Sequence, residues 1–323
     1  MEYTHLGRSG LKVSRLVLGT MNFGPETSED DSHAIMDRAH EVGINFFDTA
    51  NVYGRKKGEG VTENIIGRFF AKGGGRRERT ILATKVYGSM GDEPNETFLS
   101  ALNIRRACDA SLKRLQTDYI DVYQMHHIDR NTPFEEIWEA MEVLRAQGKI
   151  IYTGSSNFAG WHIAKAQECA QRRNFMGLVS EQSIYNLVRR EIEIEVLPAC
   201  EDYGLGIIPW SPLHGGLLGG VVRKEREGKR RLTGRAKESL EAVSDQVERY
   251  EEFCVELGRE PAAVALAWLL HQRAVTGPII GPRTMEQLDS ALDALELELS
   301  DKELLRLDEI WPGHEPAPED YTW

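Results

Sequence analysis

Ile44-Asn45-Phe46-Phe47-Asp48-Thr49-Ala50-Asn51-Val52-Tyr53 is the stretch on which the reading of this chain turns. Ile44, Phe46 and Phe47 lead into a lone carboxylate, and a tyrosine follows five positions later beside Gly54. An apolar run bounded by turn residues marks a strand of a parallel sheet covered on both faces. The C-terminal ends of such strands are where α/β proteins place their chemistry.

Outward from this stretch the pattern repeats. Strands are expected at Leu16-Leu18, Asn45-Asp48, Thr80-Lys85, Ile120-His126, Lys149-Ser155, Leu178-Gln182, Gly206-Pro209 and Val275-Ile280. Helical periodicity falls between them at 30–42, 62–71, 103–115, 133–147, 159–172, 190–203 and 261–272, with 284–295 after the last strand. Tyr3-Leu6 and Leu11-Val13 flank a Gly7-Arg8-Ser9-Gly10 turn and predict a small hairpin ahead of the series. Eight strands each followed by a helix predict an α/β fold, a (β/α)8 TIM barrel, with an N-terminal hairpin and extra helices. A doubly wound sheet would announce itself with a Gly-rich fingerprint after the first strand, and Leu18-Gly19-Thr20-Met21-Asn22 carries none. Residues 211–243 form a long insertion, 244–257 an extra helix, and Ser300 to Trp323 a tail with one more helix and a Pro-rich end. With no linker or low-complexity segment, residues 1–323 read as a single domain.

Composition narrows the function class. The chain of 323 residues is 41% hydrophobic and 28% charged, which is ordinary for a protein with an ample core. Its net charge of −12 argues against a general nucleic-acid binder. Cys108, Cys169, Cys200 and Cys254 form no C-x-x-C pair and read as reduced thiols. The N-terminus has no apolar signal-peptide core, and the longest apolar run, Ala262 to Leu270, is too short to span a bilayer. A cytoplasmic protein acting on a soluble small molecule is expected, with no membrane and no nucleic-acid partner.

Asp48, Lys85 and His126 end the second, third and fourth expected strands, and Tyr53 lies in the loop after the second, so a barrel brings all four to one mouth. A phenol with a pKa of ~10 is a poor acid at neutral pH. A nearby ammonium lowers that value, a carboxylate keeps the ammonium charged, and a histidine orients a carbonyl oxygen. Singly, each has a plainer role as cap, surface lysine or packing residue. Metal binding by His126, His127 and Asp129 is disfavoured, because adjacent strand residues point to opposite faces.

Gly154-Ser155-Ser156-Asn157-Phe158 and Glu181-Gln182 place amides and hydroxyls where a neutral carboxamide fits, although a Ser/Asn turn capping the next helix explains the first equally well. Trp210, in Pro209-Trp210-Ser211-Pro212-Leu213, offers a flat surface for stacking or for plain core. Ile280-Gly281-Pro282-Arg283-Thr284 runs from the eighth strand into a helix start, the usual phosphate site of such barrels. Between 223 and 237 stand Arg223, Lys224, Arg226, Lys229, Arg230, Arg231, Arg235 and Lys237 against Glu225 and Glu227. This basic run suits either a solvated loop or one that folds over a polyanion.

The motifs Leu18-Gly19-Thr20-Met21, Phe47-Asp48-Thr49-Ala50-x-x-Tyr53-Gly54, Thr84-Lys85, Gln124-Met125-His126, Gly154-x-Ser156-Asn157-Phe158, Gln182 and Trp210-Ser211-Pro212-Leu213 follow one another in order. In these the chain resembles the aldo-keto reductases from end to end. It looks closest to the bacterial branch related to potassium-channel β subunits, and similar within it to actinomycete reductases of antibiotic polyketides or nucleotide-linked deoxysugars. The resemblance implies NADPH lying extended across the barrel mouth. Tyr53 is then the general acid, Lys85 and Asp48 tune it, and His126 orients the carbonyl. Ser156, Asn157 and Gln182 hold the carboxamide, and Trp210 stacks on the nicotinamide. Gly19, Thr20 and Met21 line the cofactor path, with Asp48 also within its reach. Ser211, Leu213, Gly215, Leu217 and Gly219 follow the pyrophosphate pattern, and Gly281, Arg283 and Gln287 meet the 2′-phosphate end. Ala291 departs from the family's usual Asn near the adenine.

The implied reaction is reduction of a ketone or aldehyde to an alcohol. The alternatives are enoyl reduction of a deoxysugar intermediate and a non-catalytic NADP-binding redox sensor. A homo-oligomer, tetramer or octamer, is the implied assembly. Specificity falls to the loops after strands three (Val86 to Asn103) and seven and to the tail, where Trp311, Tyr321 and Trp323 suggest an apolar wall or a subunit contact.

Overall fold

A computed structural model describes residues 1–226 and 240–322. The N-terminal hairpin pairs β1 (Tyr3–His5) with β2 (Lys12–Ser14) antiparallel. Eight parallel strands follow, namely β3 (Val17–Gly19), β4 (Phe46–Asp48), β5 (Ile81–Val86), β6 (Ile120–Met125), β7 (Ile150–Ser156), β8 (Leu178–Gln182), β9 (Gly206–Ile207) and β10 (Ile279–Ile280). Their order in the sheet is β10-β3-β4-β5-β6-β7-β8-β9. The circle closes through Ile207 N–H to the Ala274 carbonyl at 3.0 Å, Thr276 N–H to the Ile207 carbonyl at 2.8 Å and Ile279 N–H to the Pro209 carbonyl at 2.8 Å. Arg15 braces this seam from outside the ladder, its guanidinium donating to the carbonyls of Val275, Thr276 and Leu270 at 2.7, 2.9 and 2.6 Å.

The expected α/β barrel is therefore present. The last two strands are shorter than the sequence pattern implied. Pro209 and Pro278 carry no N–H for a ladder, so β9 stops at Ile207 and β10 begins at Ile279, with Val275 left as an isolated bridge to Ile207.

Helices α1 (Glu29–Glu41), α2 (Val61–Ala71), α3 (Ala101–Leu115), α4 (Phe134–Ala146), α5 (Gly160–Arg172) and α6 (Ile192–Tyr203) fill the intervals. Further along come α7 (Val221–Arg226), α8 (Ser244–Leu257), α9 (Pro261–His271), α10 (Met285–Leu292), α11 (Asp301–Ile310) and α12 (Glu319–Thr322). No described helix is long and apolar enough to cross a membrane. All four cysteines are buried free thiols.

Side-chain alternation along the strands separates two cores. Val17, Phe46, Ala83, Val122, Val179, Ile208 and Ile279 form one cluster with Leu6 and Val13 of the hairpin segment. The hairpin thus plugs the N-terminal end of the barrel. Its turn lies so close to the sheet that a Cβ on Gly7 would stand 2.5 Å from the Val179 carbonyl, and φ there is +55°. The second, larger core lies between sheet and helices. Trp311 belongs to it, 3% exposed, with its carbonyl accepting from Arg190 at 2.8 Å. This corrects the expectation of an open wall there; Tyr321 is exposed, and Trp323 lies outside the described residues.

Candidate active site

Phe46 faces the barrel interior, so Asp48, two residues on, faces the same way at the strand's end. The same period carries Ala83 to Lys85 and Val122 to Gln124. Lys85 is fully buried, and its Nζ donates to Asp48 Oδ2 at 2.5 Å, the Thr49 carbonyl at 2.9 Å and Tyr53 Oη at 3.2 Å. Asp48 Oδ1 accepts from Gln124 Nε2 at 3.0 Å and from Gln182 Nε2 at 2.9 Å. The Tyr53 and His126 rings meet edge to face, with centroids 5.8 Å apart. The four candidates thus share one cluster at the mouth.

The electrostatics differ from expectation in one respect. Burial holds the Tyr53 phenol above its ordinary pKa; Lys85 pulls it down and Asp48 pushes it up. The ammonium therefore does not produce a resting phenolate. Burial works against the charge on Lys85, yet Asp48 and Tyr53 carry its pKa above the ordinary lysine value. His126 is pushed down to about 3 by burial, with Lys85 and His127 adding to the effect, so its imidazole is neutral at physiological pH. His127 is exposed, its ring 5.3 Å from that of Tyr87.

Gln124 is a member of the cluster to which sequence reasoning gave no role. The signal was its position two residues beyond inward-facing Val122.

Beside the cluster, Ser156 and Gln182 end adjacent strands in register. Ser156 Oγ donates to the Gln182 carbonyl at 2.8 Å, and Asn157 Nδ2 to the His126 carbonyl at 3.1 Å and to Ser156 Oγ at 2.9 Å. Asn157 Oδ1 accepts from Trp210 Nε1 at 3.1 Å. Asn157 stands at φ +59°, and the N-cap of α5 is Ala159, so the Ser/Asn turn is not the helix cap. Uncharged amides, a hydroxyl and a half-buried indole make a donor set suited to a nicotinamide carboxamide and ring.

Thr20 is buried, its hydroxyl on the Asp48 carbonyl at 2.9 Å, whereas Met21 is 59% exposed. A Cβ on Gly19 would lie 2.5 Å from Ile279 Cγ2, so that glycine serves the packing of β3 on β10. Ser211 and His214 hold positive φ, and His214–Gly216 form one 3-10 turn. Leu213 caps that turn, Gly215 opens onto free space, and the amides of Leu217 and Gly219 bond to His214 and Gly216 carbonyls.

At the far edge, Gly281 accepts from Asn22 Nδ2 at 2.9 Å, and Gln287 Oε1 accepts the Arg283 N–H at 2.8 Å. The Arg283 guanidinium pairs with Glu26 at 2.7 Å, and Arg55 pairs with the same carboxylate. Ala291 is buried in α10. Of the basic run, Arg223 binds Glu260 at 2.5 Å, Arg226 binds Glu248 at 3.1 Å, and Lys224 reaches the Gly219 carbonyl. Lys229, Arg230, Arg231, Arg235 and Lys237 lie outside the described residues.

Two other hollows, of about 390 and 360 Å³, lie around Arg8 at the hairpin end, away from these groups.

Comparison with known proteins agrees with this geometry. Residues 15–312 match the model of the aldo/keto reductase family. An uncharacterized oxidoreductase, YrpG, of Bacillus subtilis is 55% identical over the full length of both chains. Versiconal hemiacetal acetate reductase of Aspergillus parasiticus is 35% identical over 96% of each chain. A probable voltage-gated potassium channel subunit beta of Arabidopsis thaliana is 32% identical over 99% of this chain and all of its own.

Proposed function

The chain belongs to the aldo/keto reductase family, and on that premise we propose that it is an NADPH-dependent reductase of a ketone or aldehyde. The observation that carries this reading is the contact of a neutral, half-buried phenol with a fully buried ammonium at 3.2 Å. NADPH, when bound, would supply the hydride that the carbonyl carbon receives. Tyr53 gives its hydroxyl proton to the carbonyl oxygen, which becomes the alcohol. The Lys85 charge stabilises the phenolate only as it forms, so the help is greatest at the transition state. Asp48, fixed by Gln124 and Gln182, holds Lys85 in place and charged. Neutral His126 donates an N–H to the same oxygen and orients it. Ser156, Asn157 and Gln182 would hold the carboxamide, Trp210 would cover the ring, the 211–219 turns would line the pyrophosphate, and Arg283, freed from Glu26, would pair with the 2′-phosphate.

For the substrate we propose a ring-bearing ketone of polyketide type, in preference to a nucleotide-linked deoxysugar. Beside His127, Tyr87 and Phe98 stand edge to face at 5.2 Å, with Phe98 48% exposed. The Aspergillus relative, a versiconal hemiacetal acetate reductase by name, agrees with a carbonyl-derived group as target. The likeness to a channel subunit supports a second reading, an NADP-binding sensor with little turnover.

The test follows NADPH absorbance over a panel of aldehydes and aromatic ketones. Turnover that vanishes in Tyr53→Phe while NADPH still binds is the expected result. Turnover surviving in Tyr53→Phe overturns the assignment of the acid, and tight binding without turnover of any carbonyl favours the sensor.

A further inference from the structure

Glu181 is a fully buried carboxyl that the chemistry above does not use. It precedes Gln182 on β8, so it points to the opposite face of the sheet, toward α6. Its Oε2 accepts the Ser155 hydroxyl at 2.5 Å, and its Oε1 accepts the Ser183 hydroxyl at 2.7 Å and the Phe158 N–H at 3.1 Å. Each donor is the chain neighbour of a residue assigned to the carboxamide: Ser155 of Ser156, Phe158 of Asn157, Ser183 of Gln182. Through three hydrogen bonds one carboxyl therefore ties together, from behind the sheet, the two backbone segments that present the pocket, 155–158 and 182–183. Asn157 sits between two of the ties at φ +59°, a left-handed conformation that asparagine tolerates better than most residues.

We propose that Glu181 is a positioning residue that sets the geometry of the Ser156–Asn157–Gln182 nicotinamide pocket, so that its ionisation governs how tightly the nicotinamide end of the cofactor is held. This rests on the cofactor reading above. The ties are all neutral donors, and the titratable group facing Glu181 from α6 is the Cys200 thiol, itself pushed well above its ordinary pKa by burial and by Glu181. Burial raises the Glu181 carboxyl to about 7, against the pull of the Ser155 and Ser183 hydroxyls and the Phe158 and Asn157 amides. The ionised carboxylate accepts every tie. The protonated acid turns one oxygen into a donor, and Ser155 then has the Ser180 carbonyl, 3.4 Å away, as its alternative partner. The pocket is tightest above neutrality and loosens as pH falls.

The experiment measures equilibrium binding of NADPH, NADH and 2′-phospho-ADP-ribose, which lacks the nicotinamide, to wild type, Glu181→Gln and Ser183→Ala between pH 5.5 and 8.5. NADH carries no titrating phosphate, so its pH dependence reports on the protein. Both variants are expected to bind NADPH and NADH about tenfold more weakly, the worth of a lost hydrogen bond to a charged group. Glu181→Gln should also flatten the NADH pH profile, and 2′-phospho-ADP-ribose should bind all three proteins alike. Unchanged nicotinamide affinity and pH profile in Glu181→Gln overturns the proposal. Equal weakening of all three ligands makes the role merely structural and overturns it too. If Glu181→Gln does not fold, Ser183→Ala and the wild-type NADH profile decide alone. Wild type that binds none of the ligands rejects the cofactor reading itself, a result distinct from the others.

Discussion

Asp48 and Glu181 are both buried carboxyls near the C-terminal ends of strands in one sheet, yet their surroundings are opposite in kind. Asp48 faces the interior, with a lysine on one oxygen and two side-chain amides on the other. Glu181 faces outward to the helices, and its bonds come from hydroxyls and a backbone N–H. A buried carboxylate with a cation is part of a charge pair, and removing either member strands the other. One held only by neutral donors is free to exchange its charge for a proton at modest cost. The first arrangement suits a site that must keep a positive charge beside a phenol. The second suits a brace whose tightness varies with pH.

The largest test of this contrast is Tyr53→Phe, which removes the proton but leaves the Asp48–Lys85 pair whole. Turnover should fall by about 10²–10⁴-fold, the usual range for general acid catalysis, with the unfolding midpoint unchanged. Because His126 stays neutral down to about pH 3, no activity limb near pH 6.5 should trace to it; a limb there that disappears in His126→Gln would contradict its burial.

Asp48→Asn should cost about 3–5 kcal/mol in urea unfolding, because a buried ammonium loses its counter-charge. A loss under about 1 kcal/mol would erase the difference drawn between the two carboxyls.

Glu181→Gln sharpens the other side. The folded-state pKa of Glu181 stands above its ordinary 4.5 at about 7. Its contribution to stability is therefore fully present below pH 4.5 and is lost as pH rises toward 7. Wild type should lose on the order of 3 kcal/mol relative to Glu181→Gln across that window, measured by denaturant titration of the unliganded protein. A constant difference between the two proteins would mean that the carboxyl ionises normally.

The smallest effect is expected at Glu26→Gln. Arg283 would lose its carboxylate partner and meet a 2′-phosphate unopposed, so NADPH affinity should rise a few-fold while NADH affinity stays level, the modest size reflecting an exposed pair. Weaker NADPH binding in this variant would instead give Glu26 a supporting role at Arg283.

Local pattern made the barrel and the inward-facing Asp48 and Lys85 legible, because strand alternation and strand ends are short-range features. His126 followed from the same logic one residue past β6. β9 and β10 are shorter than their apolar runs imply, because the missing N–H groups of Pro209 and Pro278 end the ladder. Burial was the other blind spot. The Lys85 contact with Tyr53 was foreseeable from topology, but the desolvation that keeps the phenol above its ordinary pKa depends on everything packed around it. Trp311 reads as a tail aromatic in the chain and becomes core only through α11 packing and its tie to Arg190. The pairing of Glu26 with Arg283 joins opposite ends of the sequence, and no spacing rule could foretell it.

The seam between β9 and β10 gives the barrel an uneven resistance to opening. There one bridge, Ile207 with Val275, and three backbone hydrogen bonds close the circle, braced by one guanidinium, whereas β6 and β7 share five registered pairs. Sub-global opening starts where the fewest buried backbone bonds must break. Amide exchange is therefore expected earliest at Ile207, Thr276 and Ile279, and the loop after β10 that carries Gly281 and Arg283 breathes with that edge. The wall that bears Asp48, Lys85 and His126 lies away from the seam, so the molecule has a compliant side and a stiff one.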